Sequence, residues 1–117
     1  MRLPIRTHAL QAFVTNAYAQ EFPAVVSSND LVFYVSQTAR GQMLMGAEFD
    51  RQASYRQATT FSYLQSVARK AVTILPFMAK LRILRSWTGI CDVSTDYSPI
   101  LGDSGAEGFL LSTGWGT

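Results

Sequence analysis

The residues of this chain with the clearest chemical potential lie in its last third. Gly89 stands within a run of bulky residues that predicts a strand, where a glycine lowers stability. Either a β-bulge or the close approach of a backbone or a flat ligand ring explains such a glycine. Gly114 and Gly116 follow an apolar stretch, and glycine backbones can direct N–H groups at an anionic or carbonyl oxygen. A terminal turn explains the Gly-x-Gly spacing equally well.

Cys91 is the only cysteine in the sequence. Its thiolate would be a nucleophile towards an electrophilic ring, whereas a thiol in a strand more often serves as apolar filling. One cysteine excludes an internal disulfide, and a lone His8 supplies too few ligands for structural zinc. We therefore expect no metal site and a reducing, cytoplasmic setting.

Other catalytic constellations are missing from the sequence. No Gly-x-Ser-x-Gly occurs, so His8 has no nucleophile elbow to serve and a hydrolase is disfavoured. We expect His8 to be a partly buried strand histidine. Asp92 and Asp96 fall in a predicted strand and the turn that follows it. The carboxylate of Asp96 is predicted to accept backbone N–H bonds in that turn.

Composition limits the class of protein. The chain has 117 residues, of which 48% are hydrophobic and 15% charged, with a formal net charge of +2. These values predict one compact α+β domain and give no indication of a nucleic-acid partner. No apolar run approaches the roughly 20 residues that cross a bilayer, and the start lacks the pattern of a signal peptide. We expect no membrane partner.

The first half of the chain predicts strands. Residues Leu3 to Val14 carry β-type side chains, and a short extended piece is expected at Ala24 to Ser27. A hairpin is predicted from Leu31–Gln37 and Gln42–Phe49, with Gly41 supplying a positive φ in the turn. Alternation in its first strand places Leu31, Phe33 and Val35 on one face and Val32, Tyr34 and Ser36 on the other.

The second half begins with a helix over Thr59–Leu75, because its apolar residues recur every three to four positions. Thr59 or Thr60 is the expected N-cap, and Pro76 ends the helix. The buried stripe is predicted to contain Phe61, Leu64, Val67, Ala68, Ala71, Ile74 and Leu75. A long strand over Leu81–Val93 and two short ones, Ser98–Leu101 and Phe109–Thr113, are predicted to complete one mixed, mainly antiparallel sheet with the helix packed on it.

Several short motifs, in order along the chain, resemble one enzyme family. That family is the FAD-dependent D-amino-acid oxidase and sarcosine oxidase superfamily, and within it the β subunits of heterotetrameric sarcosine oxidases. The motifs are Leu3-Pro-Ile, His8-Ala-Leu-Gln-Ala, Tyr34-Val-Ser-Gln, Gly41, Met45-Gly-Ala, Leu84-Arg-Ser-Trp, Gly89-Ile, Ser98-Pro-Ile and Gly114-Trp-Gly-Thr117.

The resemblance implies the substrate domain of a flavoprotein, whose sheet covers the flavin ring. It implies oxidation of a secondary amine or amino acid by hydride transfer to FAD, in a complex with other sarcosine oxidase subunits. The cofactor-binding residues so implied are Gly89, Cys91, Gly114, Gly116 and Thr117. Tyr34 and Met45 are candidate substrate-facing residues, with an ordinary core position as the alternative for each.

The resemblance also leaves gaps. The Gly-x-Gly-x-x-Gly that grips the FAD pyrophosphate does not occur, nor does the family lysine that holds a substrate carboxylate. We therefore expect the isolated chain to be inactive, to carry no FAD and to cover its open apolar sheet face by forming a homo-oligomer. The alternative hypothesis is a stand-alone α+β module that binds a small ligand or self-associates.

Overall fold

The computed structural model describes residues 2–19, 23–47, 49–50 and 52–116. Each predicted strand and the predicted helix is found there, with ends shifted by a few residues. In chain order the elements are β1 (Ile5–Ala17), β2 (Val25–Ser28), β3 (Phe33–Gln37), β4 (Gln42–Ala47), α1 (Phe61–Ile74), a 3-10 helix (Pro76–Lys80), β5 (Ile83–Ser94), β6 (Ile100–Asp103) and β7 (Leu110–Thr113).

Five strands form one sheet in the order β2-β3-β4-β1-β5. Each pairing in it is antiparallel, so the sheet is not mixed. The prediction that β6 and β7 complete this sheet is wrong. They pair with each other as a separate two-stranded sheet, and an isolated bridge between Val93 and Trp115 connects the end of this unit to β5.

Pairing register divides the main sheet into two faces, because residues opposite each other on neighbouring strands point the same way. The helix face carries Phe13, Val35 and Met45, which join α1 residues in the buried core. The open face, on the other side, carries Tyr34 and Trp87. Its further members are Leu10, Ala12, Gly46, Gly89 and Cys91.

A buried glutamine fixes the start of α1 on the helix face. Thr60 is the N-cap, and its side-chain oxygen accepts the Tyr63 N–H at 3.4 Å. The Thr60 N–H donates in turn to Oε1 of Gln11 at 2.8 Å, and Gln11 is fully buried. This contact joins β1 to α1 and satisfies a polar group that would be costly to bury alone. Pro76 ends the helix as predicted and begins the 3-10 helix.

The predicted helix stripe is confirmed in its middle and wrong at its start. Val67 and Ala71 are buried, and Leu64 and Ile74 pack against the core. Phe61 is 78% exposed. It is the first helical residue, and contact with the core begins one turn further on.

The hairpin forms around the predicted glycine. Gly41 has φ +80°, and its N–H donates to the Thr38 carbonyl at 2.8 Å. The first hairpin strand begins at Phe33 rather than Leu31, because Val32 adopts φ +45° and leaves the extended conformation. Leu31 nevertheless packs against the core, and Val32 is exposed, as their predicted faces require.

In the part of the chain that the structure describes, no helix has the length and apolar character to cross a membrane. The same residues contain no group of three or more acidic, histidine or cysteine side chains arranged to hold a metal ion.

Gly41→Ala is expected to lower the free energy of unfolding by about 2–3 kcal/mol, because a β-carbon at this positive φ would lie against the Tyr18 carbonyl oxygen. Gly105→Ala is the matched control, since Gly105 has φ +77° with open space around it. We expect only the backbone strain there, about 1 kcal/mol. Urea denaturation of both variants measures the difference, and equal losses would contradict the role of the Tyr18 contact.

Candidate functional site

The open face carries a strip of small residues bordered by two aromatic rings. The register Tyr34–Gly46–Ala12–Trp87 runs straight across β3, β4, β1 and β5. Gly89 lies two residues further along β5, opposite Leu10. The strip therefore carries glycine and alanine in its middle, with Tyr34 at one end and Trp87 at the other.

The Tyr34 ring lies over Gly46 of the neighbouring strand β4. A β-carbon built on Gly46 would come within 2.6 Å of the Tyr34 hydroxyl oxygen and 2.7 Å of its ring carbons. Only a glycine leaves room for the ring in this position. Burial raises the pKa of the Tyr34 phenol, which is protonated at neutral pH even at its ordinary value. Tyr34 lies on the open face, and its substrate-facing role stays a prediction.

Gly89 is not at a bulge. Its pairing with Leu10 lies in a regular stretch of register, and the irregularity between β1 and β5 falls at Val14 and Thr15. A β-carbon at Gly89 would meet no atom within 4 Å. The bulge explanation for this glycine is therefore wrong, and the explanation by close approach of another group stays a prediction.

Cys91 follows on the same face of β5 and is partly buried. Burial raises the pKa of its thiol, and the neighbouring Asp92 carboxylate raises it further. The protonated thiol therefore dominates at neutral pH, and it is a poor nucleophile.

The glycine turn after β7 binds to the end of β5. The Gly114 N–H donates to Oδ2 of Asp92 at 2.5 Å, and the Gly116 N–H donates to the Asp92 backbone carbonyl at 3.0 Å. Both glycines have positive φ, +73° and +59°. The N–H groups do point at an anionic and a carbonyl oxygen, as predicted, but both oxygens belong to this chain. Trp115, between the two glycines, forms a β-bridge with Val93, so the terminal-turn explanation stays a prediction.

Asp92 is the functional candidate that sequence reasoning missed. Its Oδ2 also accepts the Thr113 hydroxyl at 2.8 Å. Hydrogen bonds from Gly114 and then Thr113 lower the pKa of its carboxyl group. The contact joins residues 21 positions apart, and no local sequence pattern reports such a pairing.

Two simpler predictions are confirmed. Oδ1 of Asp96 accepts the Ser98 N–H at 3.1 Å and the Ser94 hydroxyl at 3.0 Å, and these bonds lower the pKa of its carboxyl group. His8 is partly buried in β1, and its Nδ1 lies 2.9 Å from the Asp50 carbonyl oxygen.

The remaining two predicted site residues do not join the strip. Met45 is 3% exposed in the core, on the helix face opposite Tyr34. The core alternative is therefore correct for Met45, and the substrate-facing prediction is wrong. Thr117 lies outside the described residues.

A cavity of about 480 Å³ lies beside Tyr34, where β2 ends and β3 begins. It is mainly apolar, and Leu10 connects it with the strip. Tyr97, which has φ +61° after β5, also lines it. No pattern in the sequence indicates this cavity, because its walls come from segments far apart in the chain.

Comparison with known proteins gives one consistent family. The family model described as DAO, FAD dependent oxidoreductase, matches residues 1–117. The sequence is 36% identical to sarcosine oxidase subunit beta of Arthrobacter sp over 115 residues, which is 98% of this chain and 28% of that protein. It is 25% identical to hydrogen cyanide synthase subunit HcnC of Pseudomonas protegens over 97% of this chain and 27% of that protein. The chain thus spans about 28% of the length of the sarcosine oxidase subunits it matches.

Solved structures agree on the fold. L-proline dehydrogenase from P. horikoshii superposes with a TM-score of 0.91 at 24% identity, covering 99% of this chain and 32% of that one. Glycine oxidase from Geobacillus kaustophilus superposes with a TM-score of 0.83 at 17% identity, covering 97% and 30%. The resemblance found in the sequence is confirmed.

Gly46→Ala is expected to displace the Tyr34 ring and lower the free energy of unfolding by about 1–3 kcal/mol, since a methyl group there overlaps the ring. Gly89→Ala is the matched control on the same face, and its free energy of unfolding should stay within about 0.5 kcal/mol of the parent. Chemical denaturation measures both, and near-UV circular dichroism reports the tyrosine environment. An unchanged spectrum in Gly46→Ala would contradict the packing described.

Proposed function

The chain belongs to the FAD dependent oxidoreductase family, and from this premise we propose that residues 1–117 are the flavin-covering and substrate-binding domain of an oxidoreductase similar to sarcosine oxidase subunit beta. The dinucleotide-binding domain would lie outside these residues. The substrate proposed is a secondary amine or an amino acid.

The observation that supports this proposal is the open strip on the sheet. A flat ring system needs a surface without projecting side chains. Gly89 provides open space, and Ala12 on the neighbouring strand carries only a methyl group. Trp87 is 47% exposed beside it and offers an aromatic border. The residues present therefore fit an isoalloxazine ring approaching the open face.

The residues that would contact FAD are Gly89 and Cys91 on β5, with Gly114, Gly116 and Thr117 in the following turn. Asp92 already accepts the N–H groups of both glycines in the turn. Gly114 and Gly116 would thus serve through the close approach that their backbones allow, and not as N–H donors. Tyr34 would face the substrate from the opposite side of the strip.

The bound flavin supplies the hydride acceptor, and the protein residues supply placement and a water-poor surface. Tyr34 can donate a hydrogen bond to a substrate because its phenol stays protonated. Since the pyrophosphate-gripping motif is missing from these residues, we expect the isolated chain to hold no FAD and to show no turnover.

Contact between Cys91 and flavin is proposed to be non-covalent. Attack on a flavin ring requires the thiolate, and the raised pKa of this thiol keeps the thiolate fraction small at neutral pH. The apolar-filling alternative for Cys91 agrees with this.

The setting proposed is a cytoplasmic complex. The relatives are named as subunits, which supports assembly of the longer protein with other sarcosine oxidase subunits. A single, unpaired cysteine is consistent with a reducing compartment.

A chimera tests the proposed function. The 115 matched residues of the Arthrobacter sp sarcosine oxidase subunit beta are replaced by this chain, and the purified protein is expected to show flavin absorbance. After acid precipitation, the yellow FAD should remain wholly in the supernatant, because Cys91 forms no bond to it.

The control is the same chimera carrying Gly89→Trp, whose indole would fill the centre of the strip. We expect its FAD content to fall at least about tenfold, because the ring surface would be blocked. FAD retained in full by this control would contradict the assignment of the open face.

The isolated chain is expected to form a homo-oligomer. Large apolar side chains are exposed along β5 and on the β6–β7 unit, among them Leu84, Trp87, Leu101, Phe109, Leu110 and Trp115. Such surfaces associate in water. Light scattering of the 117-residue chain measures its mass, and a clean monomer at high concentration would contradict this expectation.

A further inference from the structure

Asp92 is bonded to the glycine turn by three hydrogen bonds. Its Oδ2 accepts the Thr113 hydroxyl at 2.8 Å and the Gly114 N–H at 2.5 Å, and its backbone carbonyl accepts the Gly116 N–H at 3.0 Å. Hydrogen bonds to an ionised carboxylate are stronger than neutral ones. One residue of β5 therefore fixes the whole segment from Thr113 to Gly116.

Apart from Asp92, the segment is held by the Val93–Trp115 bridge and by the Trp115 indole N–H, which donates to the Ser112 hydroxyl at 3.2 Å. Gly114 and Gly116 adopt positive φ, a region that glycine enters and leaves at low cost. Pairing within the β6–β7 sheet ends at Thr113. Beyond it, the Val93–Trp115 bridge is the neighbouring contact to β5, and the two Asp92 bonds to Gly114 and Gly116 lie on either side of that bridge.

Asp96 shows what a purely local aspartate does in the same region. Its Oδ1 accepts from Ser94 and Ser98, each two residues away. Asp92 reaches 21 and 22 residues along the chain. Both carboxylates accept hydrogen bonds, but of the two only Asp92 joins the main sheet to the β6–β7 sheet.

The Asp92 contact lies beside the residues that are proposed to bind FAD. Cys91 precedes Asp92 in β5, and Gly89 is two positions before Cys91 on the same face. Gly114 and Gly116 lie against Asp92 itself. The residues proposed to contact FAD thus come from two segments. Asp92 joins these segments through its carboxylate and its backbone carbonyl, and its side chain projects from the face of β5 opposite Gly89 and Cys91.

We propose that Asp92 is a positioning residue, which sets the glycine turn against β5 so that both segments meet the flavin together. This inference rests on the proposed function for its ligand, whereas the contact itself does not depend on flavin. Asp92 would not touch the cofactor or the substrate.

The contact is tested first in the 117-residue chain without any cofactor. In Asp92→Ala, amide hydrogen exchange at Gly114, followed by NMR, is expected to rise at least about tenfold, because a charge-assisted bond is lost. Sodium formate should partly reverse the increase by placing a carboxylate in the vacated space. Asp92→Asn, which keeps an acceptor oxygen, should show a smaller increase.

Asp96→Asn is the matched control and should leave Gly114 exchange unchanged. Circular dichroism checks that each variant keeps its strand content. Unchanged Gly114 exchange in Asp92→Ala, or an equal rise in Asp96→Asn, would overturn the proposal.

The flavin readout uses the chimera described above. Asp92→Ala is expected to weaken FAD retention at least about tenfold relative to Asp96→Asn, since a loose turn must be ordered on binding. Equal retention in the two variants would overturn the positioning role alone. A chimera with Asp92 intact that holds no FAD would count against the proposed function, whatever the exchange data show.

Discussion

The fold depends on β1, which pairs along both of its edges. β4 lies on one side and β5 on the other, so one strand joins the β2-β3-β4 part of the sheet to the long strand β5. Its helix-face residues Gln11 and Phe13 are buried, and they fix the start of α1 and fill the core. Its open-face residue Ala12 belongs to the strip. A shift of one residue in β1 would exchange the two faces, so that Gln11 would lose its bond to Thr60 and Phe13 would leave the core. This cost favours a single register.

The open strip has a physical origin in this arrangement. α1 covers only the helix face, and the other face is left with glycine and alanine at its centre. The sarcosine oxidase subunits that the chain matches are more than three times as long as the chain. Coverage of this face by residues outside the matched region is part of the proposed function.

Local signals in the sequence were sufficient for most of the fold. β-type side chains predicted β1, alternation predicted β3, and the spacing of three to four residues predicted α1. Thr60 and Pro76 mark the ends of the helix, and Gly41 marks the hairpin turn. Three features could not be predicted, because each depends on how separate segments meet in the folded chain. They are the separate β6–β7 sheet, the core position of Met45 and the contacts of Asp92. Met45 and Gly46 are neighbours with opposite directions, so a one-residue difference in register decides which of them meets a ligand.

Tyr34 and Gly46 share one space. Because the phenol ring occupies the volume where any β-carbon at position 46 would project, Gly46 cannot be replaced without displacement of the ring while Tyr34 is kept. A bulkier residue at position 46 is compatible only with a shorter side chain at position 34. Substitutions at these two positions are therefore expected to be correlated across the family. A family member with a smaller residue at position 34 can carry a larger one at position 46.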